Sequence, residues 1–365
     1  MKFVFASYVL SDDFNEPWAW FKRIRPYAGI HKTLAIHHEV ISIEQINYEG
    51  AHFENGVNYY FLKLSKAGRY FPCKLHRFIK AQSPDVVIIH GLHFPLQVIQ
   101  LRESLGKKVK IIIQNHAEKP FSGVEKYLQR WADRSVDAYL FASREMGLEW
   151  VHKGNLASPH KIHEVMELSS VFYPTDKQEA VLKTGVTGMP VFLWVGRLNK
   201  NKDPLNVIKA FLRFVDVQST ARLYMIYHTE ELLIEINELL KDHFHKDAVL
   251  LIGKVAHDVL LYWYNSADFI ISGSHYEGSG TAICEAMSCG CIPVVTDIFS
   301  FRMITDRGNC GILYEPGNEN ALFTALLQTG LIDVVQKREK TLAYFTSNLS
   351  FEAIAERFQE IAAKL

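Results

Sequence analysis

The sequence predicts an α/β protein built from two doubly wound parallel sheets. Apolar runs of strand length alternate with helical patterns along nearly the whole chain. Those runs are almost continuously apolar, as in strands covered by helices on both faces. The alternation lapses once, between Ser169 and Met189 around Pro174, Gly185 and Gly188, and then restarts. A length of 365 residues suits two domains of ordinary size.

In the first half, strands are expected at Lys2–Tyr8, Glu39–Ile43, Tyr59–Leu64, Asp85–His90, Val109–Gln114 and Asp137–Ala142. Helical patterns fall near Trp18–Leu34, Cys73–Gln82, Pro95–Leu105, Val124–Ala132 and Glu145–His152. In the second half, strands are expected at Val191–Val195, Arg222–Tyr227, Val249–Ile252, Phe269–Ser272, Ile292–Thr296 and Gly311–Tyr314. Helices lie between them, and two more follow near Leu331–Phe345 and Phe351–Lys364. The expected domains are therefore 1–170 and 190–350, with 351–365 as a terminal helix and the linker inside Ser169–Met189. In such sheets ligands bind beyond the carboxyl ends of the strands.

Composition excludes several classes. Lys+Arg and Asp+Glu both number 40, so net charge points to no nucleic-acid partner. The first 165 residues are nevertheless the more basic part, which fits an anionic acceptor or membrane surface as well as ordinary scatter of charge. Between Tyr59 and Lys80, aromatic residues interleave with Lys63, Lys66, Arg69, Lys74 and Arg77. Peripheral contact with a membrane would use such a segment; a strand followed by an amphipathic helix explains it better. Five cysteines without a paired pattern suit a reducing cytoplasm. Cys289 and Cys291 flank a helix-ending glycine and are expected as small buried residues rather than metal ligands. Met1–Leu10 is expected to be a first strand, not a leader, and no apolar run of membrane-spanning length occurs.

The chemistry concentrates in Ile270–Asp297. A strand breaks at a glycine-rich loop, Glu277-Gly278-Ser279-Gly280, a helix starts near Thr281, and a strand follows the helix-ending Gly290. Glycines admit a ligand close to the backbone, and the free N–H groups of the helix start favour an anion. Glu277 and Glu285 flank that helix start, where acidic residues are also favoured by the helix dipole alone. A second loop, Gly196-Arg197-Leu198-Asn199-Lys200-Asn201-Lys202-Asp203, follows a strand and precedes a helix with Pro204 at its first position and Asp203 as its expected cap. Its Arg and Lys suit phosphate oxygens, though a solvated basic turn has the same composition.

The stretch from Glu277 to Val295 resembles the Glu-x7-Glu signature of retaining glycosyltransferases of GT-B fold, family 4 or "group 1". Glu277, Gly278, Gly280, Glu285, Ala286, Met287, Gly290, Pro293, Val294 and Val295 all match it. Ser279 replaces the usual bulky apolar residue. The resemblance implies two Rossmann-like domains facing a central cleft, with the last helix crossing back to the first domain. It implies that Arg197 and Lys202, after Gly196, contact the diphosphate of a nucleotide-sugar donor. Glu277 would hold the sugar and Glu285 the ribose, beside Gly278, Ser279, Gly280 and Thr281. The backbone near Val255, in Gly253-Lys254-Val255, would meet the base. His116, at the end of the strand Val109–Gln114, would reach the donor sugar; His90 ends another strand similarly.

No Asp-x-Asp occurs in the chain, so no metal or other cofactor is expected. Two cations and a helix start would neutralise the leaving nucleotide. The resemblance weakens in the first half: Asp12–Trp18 stands where a Gly-Gly loop is usual, Ala117 replaces an Asp, and Glu167-Leu168-Ser169-Ser170 replaces Asn-Gly-Val-Asp. The acceptor, glycan, lipid-linked or small, is left open. Two rivals share the architecture: a nucleotide-sugar 2-epimerase and a catalytically silent sugar-nucleotide-binding protein. A nicotinamide enzyme is disfavoured, because no Gly-x-Gly-x-x-Gly follows the first strand.

Overall fold

The computed structural model describes residues 1–63, 68 and 70–365, and divides into two compact units, Met1–Ser169 with Phe351–Leu365 and Ser170–Ser350. The first unit contains β1 (Lys2–Ser7), α1 (Pro17–Leu34), β2 (Glu39–Glu44), β3 (Gly50–Glu54), β4 (Val57–Phe61), α2 (Cys73–Ala81) and β5 (Val86–His90). It continues with α3 (Pro95–Leu105), β6 (Lys110–Gln114), α4 (Gly123–Ala132), β7 (Ala138–Phe141), α5 (Arg144–His152) and β8 (Ile162–Glu164). Its sheet order is β3-β4-β2-β1-β5-β6-β7-β8. Every pairing is parallel except the β3–β4 hairpin.

Burial explains which strands the sequence announces. Val86–Ile89 of β5 and Ile111–Gln114 of β6 are buried throughout, so they read as continuous apolar runs. β3 lies at the sheet edge and is largely exposed, so it lacks that signal and was not expected. β8, three residues long, escaped for its brevity. The strand expected at Tyr59–Leu64 is observed as Val57–Phe61; Leu64, Lys66 and Arg69 lie outside the described residues.

The second unit begins earlier than the second half of the sequence pattern. The stretch expected as a linker contains α6 (Lys177–Thr184), capped by Asp176, whose side chain accepts the N–H of Glu179 at 2.8 Å. The helix has eight residues and buries Ala180 alone, too little apolar surface to show periodicity. Asn265 fastens the preceding segment, accepting from the N–H of Thr175 and donating to the carbonyl of Tyr173.

After α6 come β9 (Val191–Gly196), α7 (Pro204–Val217), β10 (Arg222–Tyr227), α8 (Leu233–Lys241), β11 (Val249–Gly253), α9 (Leu260–Ser266) and β12 (Phe269–Ser272). Then follow α10 (Thr281–Ser288), β13 (Ile292–Thr296), α11 (Phe299–Ile304), β14 (Ile312–Tyr314), α12 (Glu319–Gln328) and α13 (Val334–Tyr344). The six strands are all parallel in the order β11-β10-β9-β12-β13-β14. Phe192 of β9 stacks on Phe269 of β12 at 5.0 Å between ring centroids and meets Phe211 and Phe214 of α7 edge-on. Truncating a buried Phe such as Phe211 to Ala costs about 3–5 kcal/mol. This core fixes the strand ends that carry the site.

Helix α14 (Phe351–Lys364) returns to the first unit and packs on α1. Ile354, Ala355, Phe358 and Ile361, spaced at helical intervals, form its buried face, and Lys110 Nζ donates to the carbonyl of Leu365. Among the described residues no helix is long and apolar enough to cross a membrane.

Candidate active site

In the second unit, the loops that follow β9 and β12 are laced together. The N–H of His275 donates to the carbonyl of Asn201 at 2.9 Å, and the Asn201 side chain donates to the carbonyl of Tyr276 at 3.0 Å. Gly273 makes the approach feasible, since a Cβ there would lie 3.1 Å from the Lys202 carbonyl oxygen and 3.0 Å from Val207. Asp203 occupies the position before α7 but caps nothing with its side chain, contrary to expectation. Its carboxylate instead meets His275 Nε2 at 3.2 Å, a tie between the same two loops. Tyr314 and Thr296 steady the second loop by donating to the carbonyls of Ser272 and Ser274.

This lacing brings Lys202 onto Glu277, and the two form an ion pair that is only partly exposed. Arg197 follows Gly196 at the end of β9; its side chain is exposed and has no hydrogen-bond or ion-pair partner among the described residues. The guanidinium is therefore open to an outside anion.

Gly278, Ser279 and Gly280 are buried and lead into α10, whose first residue, Thr281, is exposed. Gly280 has φ 64°, and a Cβ on it would stand 2.6 Å from Cε1 of Phe301. Glycine is needed there for both backbone and space. Its carbonyl takes the N–H groups of Ile283 and Cys284, and no side chain caps the helix. The earlier N–H groups of α10 have no intrahelical acceptor, which makes this end attractive to an anion.

Glu285, one turn into α10, does not share the environment of Glu277. It is 4 % exposed, and its two oxygens meet His257 Nε2 at 2.7 Å and the Tyr264 hydroxyl at 3.0 Å. Burial, and then the neighbouring Glu285, push the Tyr264 phenol well above its ordinary pKa, so it stays a donor. His257 lies two residues beyond Val255, in the short turn after β11, with its ring 4.9 Å from that of Phe172. His257 thus ties the turn after β11 to Glu285. Neither His257 nor Tyr264 carried a sequence signal, because single His and Tyr residues belong to no motif. Cys289 and Cys291 are buried, and desolvation pushes the Cys289 thiol up to about 12.

The first unit holds a separate cluster. His116 Nε2 and His90 Nδ1 are 2.9 Å apart, and His116 Nδ1 is paired with Glu167. Glu118 braces the turn, accepting from the backbone N–H of His116 at 2.6 Å, the Asn115 side chain at 2.7 Å and the N–H of Leu92 at 3.1 Å. Ala117 between them adopts φ 71°, a left-handed conformation costly for a residue with a Cβ. Burial works against charge on His116, but Glu167 and Glu118 outweigh it and hold its pKa above the usual value. Burial, and then His116 and His31, hold His90 well below its usual value. The pair thus favours one charged and one neutral imidazole. Both line a cavity of about 310 Å³ within this unit. The sequence marked His116 and His90 as strand ends, but nothing in it paired them or picked out Glu118.

Residues 176–341 match the family model described as glycosyl transferases group 1. The matched residues lie within the second unit. The chain is also 33% identical over 78 residues to the O-antigen chain mannosyltransferase B of Escherichia coli, a match covering 21% of this chain and 20% of that protein. It thus spans about a fifth of that relative's length. A solved glycosyltransferase from Rickettsia africae superposes with a TM-score of 0.76 at 16% identity, over 100% of this chain and 97% of the other. The Anabaena protein HepE, solved in complex with UDP, superposes with a TM-score of 0.75 at 14% identity over 100% of both chains. At such identities the likeness speaks for the fold, and the fold is GT-B. The matched residues include Arg197, Lys202, Glu277 and Glu285, whereas His116 lies outside them.

Proposed function

We propose that this protein transfers a sugar from a nucleotide-diphosphate sugar to a hydroxyl acceptor, with retention of anomeric configuration and without a metal, in the manner of family 4. The observation that carries this is the Lys202–Glu277 pair, which sets a cation and a carboxylate from two separate motifs side by side near the open start of α10. Arg197, Lys202 and the N–H groups of α10 neutralise the charge that grows on the departing nucleotide. Glu277 orients the sugar hydroxyls. Glu285, held by His257 and Tyr264, binds the ribose, and the backbone at Val255 meets the base. His116 contacts the donor sugar, and the leaving phosphate takes the proton of the acceptor hydroxyl, so no covalent nucleophile is assigned.

A thermal-shift panel of UDP-, GDP- and ADP-sugars tests the donor, with UDP compounds first because HepE was solved with UDP. A ligand at a hundred times its dissociation constant adds about 2.7 kcal/mol of stability. Product analysis by NMR then reads the anomeric configuration, and transfer should persist undiminished in excess chelator. No shift with any nucleotide sugar, or activity lost to chelator and restored by magnesium, would overturn the proposal in its donor or metal-free part respectively.

A further inference from the structure

We infer that Phe172 is a positioning residue for nucleotide binding: its ring sets His257 against Glu285. This rests on the reading of Glu285 as the ribose ligand and adds the group that keeps it aligned. The two donors on Glu285 differ in how they are held. Tyr264 is fully buried, so close packing fixes its ring on every side. His257 belongs to a three-residue turn, His257–Val259, and its side chain is 38 % exposed. An imidazole turns about χ2 over a broad range, and turning it exchanges the ring edge that meets the carboxylate. Phe172 restrains that motion. Its ring lies 4.9 Å from the His257 ring, centroid to centroid, at an interplanar angle of 31°. A flat neighbour so placed favours one setting of the imidazole, the setting in which Nε2 stands 2.7 Å from Glu285.

Phe172 can hold a neighbour because its own place is fixed from α10 and α9. It is buried. Its N–H donates to the Ser170 hydroxyl at 3.0 Å, and that hydroxyl lies 2.8 Å from the hydroxyl of Ser288. Ser288, at the end of α10, also lies 2.7 Å from the carbonyl oxygen of Glu285. From α9, Asn265 donates to the carbonyl of Tyr173, the next residue, at 3.1 Å. The helix that carries Glu285 therefore also anchors the segment that presents Phe172. Backbone bonds fix the ring relative to α10, and the ring fixes His257 relative to Glu285. A carboxylate whose partners are set before the ligand arrives loses less freedom on binding.

Calorimetric titration of the whole protein with UDP tests this, with the folding of each variant checked by circular dichroism. Phe172→Leu keeps a buried apolar side chain without the ring, and should weaken UDP about two- to tenfold, the worth of one aromatic contact. Phe172→Tyr restores the ring and should recover the affinity. His257→Ala removes the group being positioned, so adding Phe172→Leu to it should weaken UDP no further. Without nucleotide, the imidazole NMR signals of His257, identified by their absence from His257→Ala, should shift in Phe172→Leu. Should Phe172→Leu fail to fold, Phe172→Met, which fills irregular space, carries the same tests. Wild-type UDP affinity in the folded ringless variant, additive losses in the double variant, or unmoved His257 signals would each overturn the positioning role. Weaker UDP binding by Glu285→Gln would then leave the ribose reading standing. Wild-type UDP affinity in Glu285→Gln would overturn the ribose reading, and the role of Phe172 with it.

Discussion

Lys202 and Glu277, 75 positions apart, are ion-paired across two adjoining loops of the second unit. In the proposed reaction one meets the diphosphate and the other the sugar, so each holds its partner in place before a donor arrives. Arg197→Ala and Lys202→Ala should each weaken UDP binding by about 1.5–3 kcal/mol, the range for hydrogen bonds to charged groups. Glu277→Gln releases Lys202, so free UDP should bind with at least wild-type affinity while transfer falls. Calorimetric titration of the three variants separates these effects. Wild-type UDP affinity in both cation variants would remove the diphosphate from this loop.

The second carboxylate sits in a different setting and should behave differently. Glu285 is buried, and Tyr264 and His257 occupy its two oxygens. Tyr264→Phe deletes a donor to a buried carboxylate, so urea denaturation should register a loss of about 1.5–3 kcal/mol. Glu285→Gln places an amide NH₂ against one of the two groups and should weaken free nucleotide as well as nucleotide sugar, unlike Glu277→Gln. Equal effects of Glu277→Gln and Glu285→Gln on free UDP would reverse or dissolve the division of labour between them.

Gly280 offers a test of the loop itself. An alanine there must hold a left-handed backbone, at about 1–2 kcal/mol, with its Cβ pressed on the buried ring of Phe301. Gly280→Ala should therefore lower stability by more than the backbone cost alone. It should also reduce UDP affinity, because the start of α10 must shift. A variant with wild-type melting temperature and affinity would show that the loop tolerates the displacement.

How far the sequence discloses this structure depends on what each residue needs from its neighbours. Strands such as β5 and β6 are legible because burial on both faces demands apolar side chains throughout. The exposed edge strand β3 and the short helix α6 are not, since neither buries enough to leave a pattern. The loops are legible for the same kind of reason: Gly280 tolerates no Cβ, and Arg197 stands open to solvent. Partners brought from distant positions leave no local trace. His257 and Tyr264 on Glu285, and Glu167 on His116, are single polar residues whose meaning comes only from the fold. Asp203 shows the converse, since a residue well placed to cap α7 is drawn off by His275.

His116 carries the last test, because its two ring nitrogens face groups of opposite demand. Glu167 holds Nδ1 and favours the imidazolium; His90, kept neutral by burial, meets Nε2. His116 has a folded pKa above the unfolded value of about 6.5. The stability from its pairing is therefore complete below that pH and is lost as pH rises through the folded value. His90 has the opposite sign: its neutral burial is free above about 6.5 and costs stability as pH falls below it. Melting temperature against pH should decline less on the alkaline side in His116→Ala and less on the acid side in His90→Phe, where the buried His31 and His76 keep the remaining acid decline. In the proposed reaction the second unit binds the nucleotide, so His116→Ala should leave UDP affinity unchanged. Transfer should drop about ten- to a thousandfold, as when a contact strengthened in the transition state is removed. His90→Phe should reproduce part of that drop by withdrawing the partner of Nε2. Normal turnover in folded His116→Ala would take the histidine out of the reaction, and unchanged pH profiles in both variants would dissolve the pair.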